Sequence, residues 1–386
     1  MNVPKLRFKE FNDEWINNCL SDIATITMGQ SPSSKNYTSN KNNIILIQGN
    51  ADLNNGHVVP RIFTTQITKT CNINDIIITV RAPVGDTAIS DYNACIGRGV
   101  CAISGDKYIY HYLNYLKIND YWKKISKGST IDSITSNDIR NLNINFPNST
   151  ETKKIVKTLD LLDKKIELQS KKIEDLKLFK KGLINVLNKK SYRETTLGKI
   201  GKFQTSSIDK LVKENEKIVS LYNYMDVYKH KIIMTQDLSK LSKTSAKDNQ
   251  IITNNLKRGD ILFTPSSETP DDIGHSICIQ ENLSNTVYSY HLLRYRPNII
   301  IDPLFSNYYF NNSKIRKQII RYATGATRYT VSLDSFLKIK VDIPDLITQK
   351  KYGLLLYSTD KKVNKEMFKL NKLQELKKGL MQDMFV

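Results

Sequence analysis

The sequence predicts an α+β protein: two homologous α/β globules separated by two long helices that form an antiparallel coiled coil, with pseudo-two-fold symmetry. Three observations predict this: an internal duplication, a heptad pattern sustained in both copies, and a very short connection after the first helix. Lys153 to Leu187 (KKIVKTLDLLDKKIELQSKKIEDLKLFKKGLINVL) aligns without a gap on Lys350 to Met384 (KKYGLLLYSTDKKVNKEMFKLNKLQELKKGLMQDM) at an offset of 197. Lys153/Lys350, Asp163/Asp360, Ile173/Leu370 and Gly182/Gly379 correspond. The same offset carries Gly128-Ser129-Thr130 onto Gly325-Ala326-Thr327, and Leu142, Ile144, Phe146 and Pro147 onto Ile339, Val341, Ile343 and Pro344. Nearer each copy's start it falls to 189 (Gly85/Gly274), 185 (Asp75/Asp260) and 177 (Leu20/Leu197), so the second copy holds about 20 extra residues spread over loops.

The helices follow from periodicity. Ile155, Leu159, Leu162, Ile166, Gln169, Ile173, Leu176, Lys180, Leu183 and Leu187 alternate spacings of four and three, the a/d seam of a coiled coil. The second copy repeats it with Tyr352, Leu356, Thr359, Val363, Glu366, Leu370, Leu373, Lys377, Leu380 and Met384. Polar seam residues fall at matching places, Gln169 with Glu366 and Lys180 with Lys377, where they lower stability but fix register and partner. A helix of about 38 residues at ~1.5 Å per residue is roughly 57 Å long. A parallel pair needs a return of about 50 Å, and the connection Lys189 to Arg193 reaches at most about 18 Å, so the pair is antiparallel.

Within the globules, Ile44–Ile47 and Ile76–Val80 read as buried strands, Ile109–Lys127 as a helix ended by Gly128, a short helix is capped near Thr135 and Ser136, and Leu142–Phe146 is a strand stopped by Pro147. Ile261–Phe263, a Phe305–Tyr322 helix and Ile339–Ile343 repeat the order. The expected domains are 1–147, 148–190 (helix), 191–345 and 346–386 (helix).

Composition narrows the function. With 58 Lys+Arg against 38 Asp+Glu the net charge is +20, which suits a polyanionic partner, most simply nucleic acid. Lys outnumbers Arg by 46 to 12, a bias that an AT-rich genome would also produce. The charge divides as +3 for 1–147, +6 for 148–190, +6 for 191–345 and +5 for 346–386, so the helices carry over half of it. No stretch approaches the ~18 apolar residues of a membrane helix, and Met1 to Glu10 lacks a signal-peptide core, so a soluble, cytoplasmic protein is expected. Five cysteines form no CxxC pair and five histidines are scattered, so neither a disulfide framework nor a metal is expected.

Catalytic motifs are missing. There is no G-x-x-x-x-G-K-[ST] loop and no Asn/Asp-Pro-Pro-aromatic motif, and Gly97-Arg98-Gly99 lacks a third glycine. Glu151-Thr152-Lys153 and Glu375-Leu376-Lys377 lie in or beside the Lys-rich repeat without a strand-borne Asp, so they are no nuclease site. The candidates for DNA contact are loop residues. Arg81 follows a buried strand, and Arg98 lies between glycines that would let the backbone approach phosphate. Ser129, Thr130, Thr327, Arg328 and Tyr329 follow the loop glycine found in both copies. Hydroxyls and amides suit phosphate oxygens, and arginine suits guanine O6/N7. Each of these residues also suits a purely structural turn or cap.

Taken together, the chain resembles the specificity (S) subunits of type I restriction–modification systems. The resemblance rests on the globule–helix–globule–helix duplication and the opening Pro4-Lys5-Leu6-Arg7-Phe8…Phe11…Trp15. It rests also on Arg81-Ala82-Pro83-Val84-Gly85-Asp86, Ile96-Gly97-Arg98-Gly99, and the helix ends Lys180-Lys181-Gly182-Leu183 and Lys377-Lys378-Gly379-Leu380. It implies a non-catalytic reader with two target-recognition domains, each reading half of a bipartite, asymmetric site in double-stranded DNA, and with the helices as ruler for the spacer. Two methyltransferase (M) subunits binding S-adenosylmethionine would methylate adenine, and two restriction (R) subunits would add ATP- and Mg-dependent translocation and cleavage. No cofactor is expected in this chain itself. The variable regions, roughly 30–105 and 205–300, differ, so the half-sites should differ, and the second globule lacks a close counterpart of Gly97-Arg98-Gly99. The alternatives are the specificity subunit of a related multisubunit restriction enzyme, and a coiled-coil scaffold or regulator with two ligand-binding modules.

Overall fold

The computed structural model describes residues 3–126, 133–189, 192 and 194–386. Both long helices form, Ser149–Lys189 and Leu346–Met384. The chain divides into two compact units, Met1–Lys172 with Glu366–Val386, and Ile173–Lys365, so that each unit holds one globule and a segment of each long helix.

In the first unit a two-stranded pairing of Ile16–Cys19 with Asn143–Phe146 closes the base of the globule. Above it a six-stranded sheet runs Thr25–Met28, Val100–Ser104, Ile76–Thr79, Thr87–Ile89, His57–Val58, Leu53–Asn54. A five-stranded sheet is centred on Ile44–Ile47, which lies parallel to Ala94–Ile96. Ile76–Thr79 is apolar on both faces because both are covered, and all four residues are buried. Ile76 and Ile78 join the core against the helices, while Ile77 joins a second core with Ile47, Ile96 and Val100.

The second unit repeats this plan. Glu194–Thr196 pairs with Lys340–Asp342, and a four-stranded sheet runs Gly201–Thr205, Leu293–Pro297, Ile261–Phe263, Ser276–Cys278. Those strands follow the order of the first four in the other unit's six-stranded sheet. Even single hydrogen bonds recur: the Leu20 amide donates to the Leu142 carbonyl at 2.8 Å, and the Leu197 amide to that of Ile339 at 3.0 Å.

Two expected helices are each broken in two. Ile109–Lys127 is Lys107–Ile118 followed by Tyr121–Ser126, because Asp120 turns left-handed at φ 56° between them. Phe305–Tyr322 is Pro303–Tyr309 followed by Ser313–Arg321, because the Asn312 side chain caps a new helix by accepting from the Ile315 amide at 2.9 Å. Gly128, the expected terminator, lies outside the described residues.

The helix segments pair antiparallel in each unit. In the first, Gln169 meets Glu366 and Asp163 meets Lys377; in the second, Lys180 meets Asp360. Residue numbers rise along one helix as they fall along the other. Lys180–Asp360 and Lys377–Asp163 are repeat images of one ion pair with the copies exchanged. Ile155, Leu159, Leu162, Ile173, Leu187, Leu356 and Val363 are buried, and Ile166, Leu176, Leu183, Leu370, Leu373 and Leu380 half-buried. The amide of Gln169, 2.7 Å from Glu366, together with Lys172 and Lys369, holds the Glu366 carboxyl down to about 2. Gln169 and Glu366 therefore bond to each other across the pair, while the seam lysines Lys180 and Lys377 reach Asp360 and Asp163 beside the seam, as register-fixing residues do.

The helix ends are pinned to their globules. Arg7 grips the buried Glu151 carboxylate with two 2.8 Å bonds, and the Trp15 indole donates to it at 3.3 Å, which accounts for the opening Arg…Trp pattern. Phe385 packs against Tyr108, Tyr112 and Tyr115 in the first unit, while Leu187 enters the core of the second. Among the described residues no helix is long and apolar enough to cross a membrane.

Candidate nucleic-acid interface

A shared turn builds the loop after the central strand of each globule. In the first unit the Thr79 hydroxyl donates to the Pro83 carbonyl at 2.7 Å and accepts from the Asp86 amide at 2.9 Å, while the Gly85 amide donates to the Thr79 carbonyl at 2.9 Å. In the second unit Thr264, Gly274 and His275 hold the corresponding positions: the Thr264 hydroxyl accepts from the His275 amide at 3.0 Å, and the Gly274 amide donates to the Thr264 carbonyl at 3.0 Å. Both glycines are left-handed, at φ 85° and 79°. A Cβ on Gly85 would stand 2.8 Å from Trp122 Cγ, and one on Gly274 would stand 2.7 Å from Ile319 Cγ2. Glycine is thus required twice, by conformation and by contact.

Arg81 is exposed on the first of these loops and bridges through its backbone to Ser133. Ser129 and Thr130 lie outside the described residues. Arg98 is exposed, and its amide donates to the Ser31 hydroxyl at 3.0 Å. The expectation for its flanking glycines needs correction. A Cβ on Gly99 would collide with the Gln48 carbonyl, and Gly97 is crowded by Ser31 and Gln48. These glycines admit the chain's own backbone, and the sequence could not say whose backbone approached.

The second unit brings its candidates together. Thr327 and Arg328 are exposed on a tight hairpin closed by reciprocal bonds between Thr324 and Thr330 at 2.9 and 2.8 Å. Tyr329 is half-buried and pairs with Ser267, as Thr330 does with Ser266; Arg328 Nη2 lies 3.3 Å from the Ser266 hydroxyl. The hairpin therefore leans on the 264–275 loop.

That loop is clamped from behind by residues that sequence reading did not single out. Arg316 Nη2 donates to the Asp271 carbonyl at 2.6 Å, and Nη1 lies 3.0 Å from the His275 ring nitrogens. His275 Nε2 is 3.0 Å from the Asp272 carboxylate. Burial pushes the His275 imidazole below its ordinary pKa of 6.5 and also lowers that of the Arg316 guanidinium. The first unit's equivalent tie is Asp86, bonded to Lys117 and Asn50. The only sequence signal for the clamp is that His275 stands one residue past Gly274 as Asp86 stands past Gly85. Among the described residues no group of three or more His, Cys, Asp or Glu side chains forms a metal site. The arrangement offers hydroxyls, amides and guanidinium groups on loops, groups that suit phosphate oxygens and base edges.

Residues 12–178 match the family described as the type I restriction modification DNA specificity domain. A Methanocaldococcus jannaschii protein assigned as the type I restriction enzyme MjaX specificity subunit is 34% identical over 168 residues, which is 42% of this chain and 39% of that protein. The type I restriction enzyme MjaIX specificity subunit of the same organism is 28% identical over 192 residues, 45% of this chain and 44% of its own. The chain thus matches well under half the length of each relative. Among solved structures, a type I restriction–modification system S subunit from M. genitalium superposes with a TM-score of 0.62 at 18% identity, covering 100% of this chain and 99% of that one. A chain from a structural study of complex assembly and conformational transition of the type I R-M system gives 0.55 at 14% identity, covering 98% and 99%. The whole chain therefore shares the fold of these neighbours, and its segment 12–178 is similar to the type I restriction modification DNA specificity domain.

Proposed function

We propose that the chain is the non-catalytic, sequence-specific DNA-recognition subunit of a type I restriction–modification complex. Residues 1–147 and 191–345 each read half of a bipartite, asymmetric site, and the helices spanning 148–190 and 346–386 set the spacer. The observation that carries this reading is the duplicated turn, Thr79-Gly85-Asp86 and Thr264-Gly274-His275, which presents a differently composed loop from one scaffold in each unit. Similar scaffolds with different loops are what an asymmetric site in double-stranded DNA requires. The family match over 12–178 supports it. Arg81, Arg98, Ser129, Thr130, Thr327, Arg328 and Tyr329 are the proposed contacts.

The partners follow the same reading: two methyltransferase and two restriction subunits, with S-adenosylmethionine, ATP and Mg on those subunits, in the cytoplasm. Each long helix has apolar residues on its outer face. Leu161 and Leu168 are exposed one heptad apart, as are Ile347 and Leu354. Phe179, Val186 and Phe368 are exposed as well. Such a stripe on a helix whose seam is already filled suits helices of a partner subunit. Sequencing adenine methylation genome-wide, with and without this gene, tests the proposal. A bipartite methylated motif that vanishes with the gene is expected, and methylation indifferent to the gene would refute it.

A further inference from the structure

The duplicated turn is not filled equally in the two units. Between Thr79 and Gly85 lie five residues, 80–84, with Arg81 their one charge; between Thr264 and Gly274 lie nine, 265–273, with Glu268, Asp271 and Asp272. Three carboxylates stand on a loop proposed above to meet DNA, where acidic side chains weaken backbone attraction. Two of them belong to the clamp: Asp271 is held through its carbonyl by Arg316, and Asp272 through its carboxylate by His275. Glu268 does not.

Glu268 and Thr269 are the exposed tip of a loop fixed at every other side. Thr264 and His275 close its base, the Val331 amide donates to the Pro265 carbonyl at 3.0 Å, and the buried Ser267 hydroxyl turns back to the Thr269 carbonyl. The ladder pairs Ser266 with Thr330 and Ser267 with Tyr329 and ends there, with Glu268 the next residue after one strand and Arg328 the residue before the other. Yet Arg328 leans toward Ser266, and the loop's one ion pair among the described residues is His275–Asp272, which leaves Glu268 out. The loop therefore presents one exposed carboxylate and one exposed guanidinium at the end of the same two-stranded ladder.

We propose that Glu268 is a specificity-determining residue that accepts from the exocyclic N4 amino group of a cytosine in the half-site read by the second unit. A carboxylate cannot bind phosphate, and in the major groove cytosine N4 is the donor it matches, as arginine matches guanine O6/N7. Arg328 beside it suits the acceptor edge of guanine in the same G·C pair or the adjacent one. The first unit has no equivalent, because its loop carries arginine and Asp86 is bound to Lys117 and Asn50. This inference rests on the DNA-reading function proposed above.

The test compares methylomes of cells carrying wild-type, Glu268→Gln and Glu268→Ala chains with their partner subunits. It is paired with binding of the purified complexes to duplexes substituted at each position of the wild-type motif. Glutamine pairs with adenine N6/N7, so Glu268→Gln should shift one cytosine of one half-site toward adenine. Glu268→Ala should make that position degenerate and erase about ten- to hundredfold of base discrimination there. The other half-site should keep its sequence in both. An unchanged motif in both variants overturns the proposal, and so does an even loss of affinity across all duplexes, the mark of a backbone or scaffold role. Wild-type methylation that survives deletion of the gene would instead remove the parent reading.

Discussion

Replacing Gly85 with alanine tests the shared turn most directly. Gly85 sits at φ 85°, and a left-handed residue with a Cβ costs about 1–2 kcal/mol. The new methyl group would also lie 2.8 Å from Trp122 Cγ and 2.9 Å from Nε1, on a side chain that is itself buried. Forcing one carbon into such a site costs about 1–3 kcal/mol, so the two effects together come to about 2–5 kcal/mol. Gly274→Ala meets the same obstacles, with φ 79° and Ile319 Cγ2 at 2.7 Å. Gly182 and Gly379 are the controls. Both lie inside the long helices with nothing within 4 Å of a built Cβ, so alanine there should stabilise by about 0.8–1.0 kcal/mol. Thermal unfolding of the full chain reads the difference at about 2–4 °C per kcal/mol for units of this size. The turn variants should melt several degrees lower and the helix variants slightly higher. A Gly85→Ala chain that melts with the wild type would refute the turn as described.

Three further outcomes are expected. Inserting one heptad after Gln169 and one after Glu366 lengthens each helix by roughly 10 Å, so the methylated motif should keep its half-sites and gain some three base pairs of spacer; retained methylation with an unchanged spacer would sink the ruler. Reversing Lys180 to Glu should lower the melting temperature, and adding Asp360→Lys should recover part of it, with Lys377 and Asp163 behaving alike; the coupling of such half-exposed pairs is about 1 kcal/mol or less, read from a double-mutant cycle. Glu366 is held charged to about pH 2, so its contribution is whole above its ordinary value of 4.5 and is lost as pH falls toward 2; Gln169→Leu removes the largest cause, and helicity followed by circular dichroism should then fail at a higher pH in acid titration.

What the sequence made legible depends on whether a residue's meaning is set by its neighbours in the chain or across space. The helix seam was readable because each residue from Ile155 to Leu187 meets the same kind of neighbour every heptad. The duplication let one copy check the other, down to Gln169 opposite Glu366. Both helix breaks were missed because a run of helix-compatible residues says nothing of where Asp120 turns left-handed or Asn312 caps. Glycine shows the limit most plainly: Gly85 and Gly99 are demanded by Trp122 and Gln48, which are distant in sequence, whereas Gly182 meets nothing. The same holds for the candidate interface. The offset between copies jumps from 185 at Asp75/Asp260 to 189 at Gly85/Gly274, so the sequence alone locates a four-residue insertion in the second loop. It cannot say that the enlarged loop is held by Arg316 or that Glu268 and Arg328 come to the end of one ladder, because those relations cross 41 to 45 and 60 residues of chain. Duplication therefore exposes where the two units diverge, and the packing around the divergence is what fixes the enlarged loop in place.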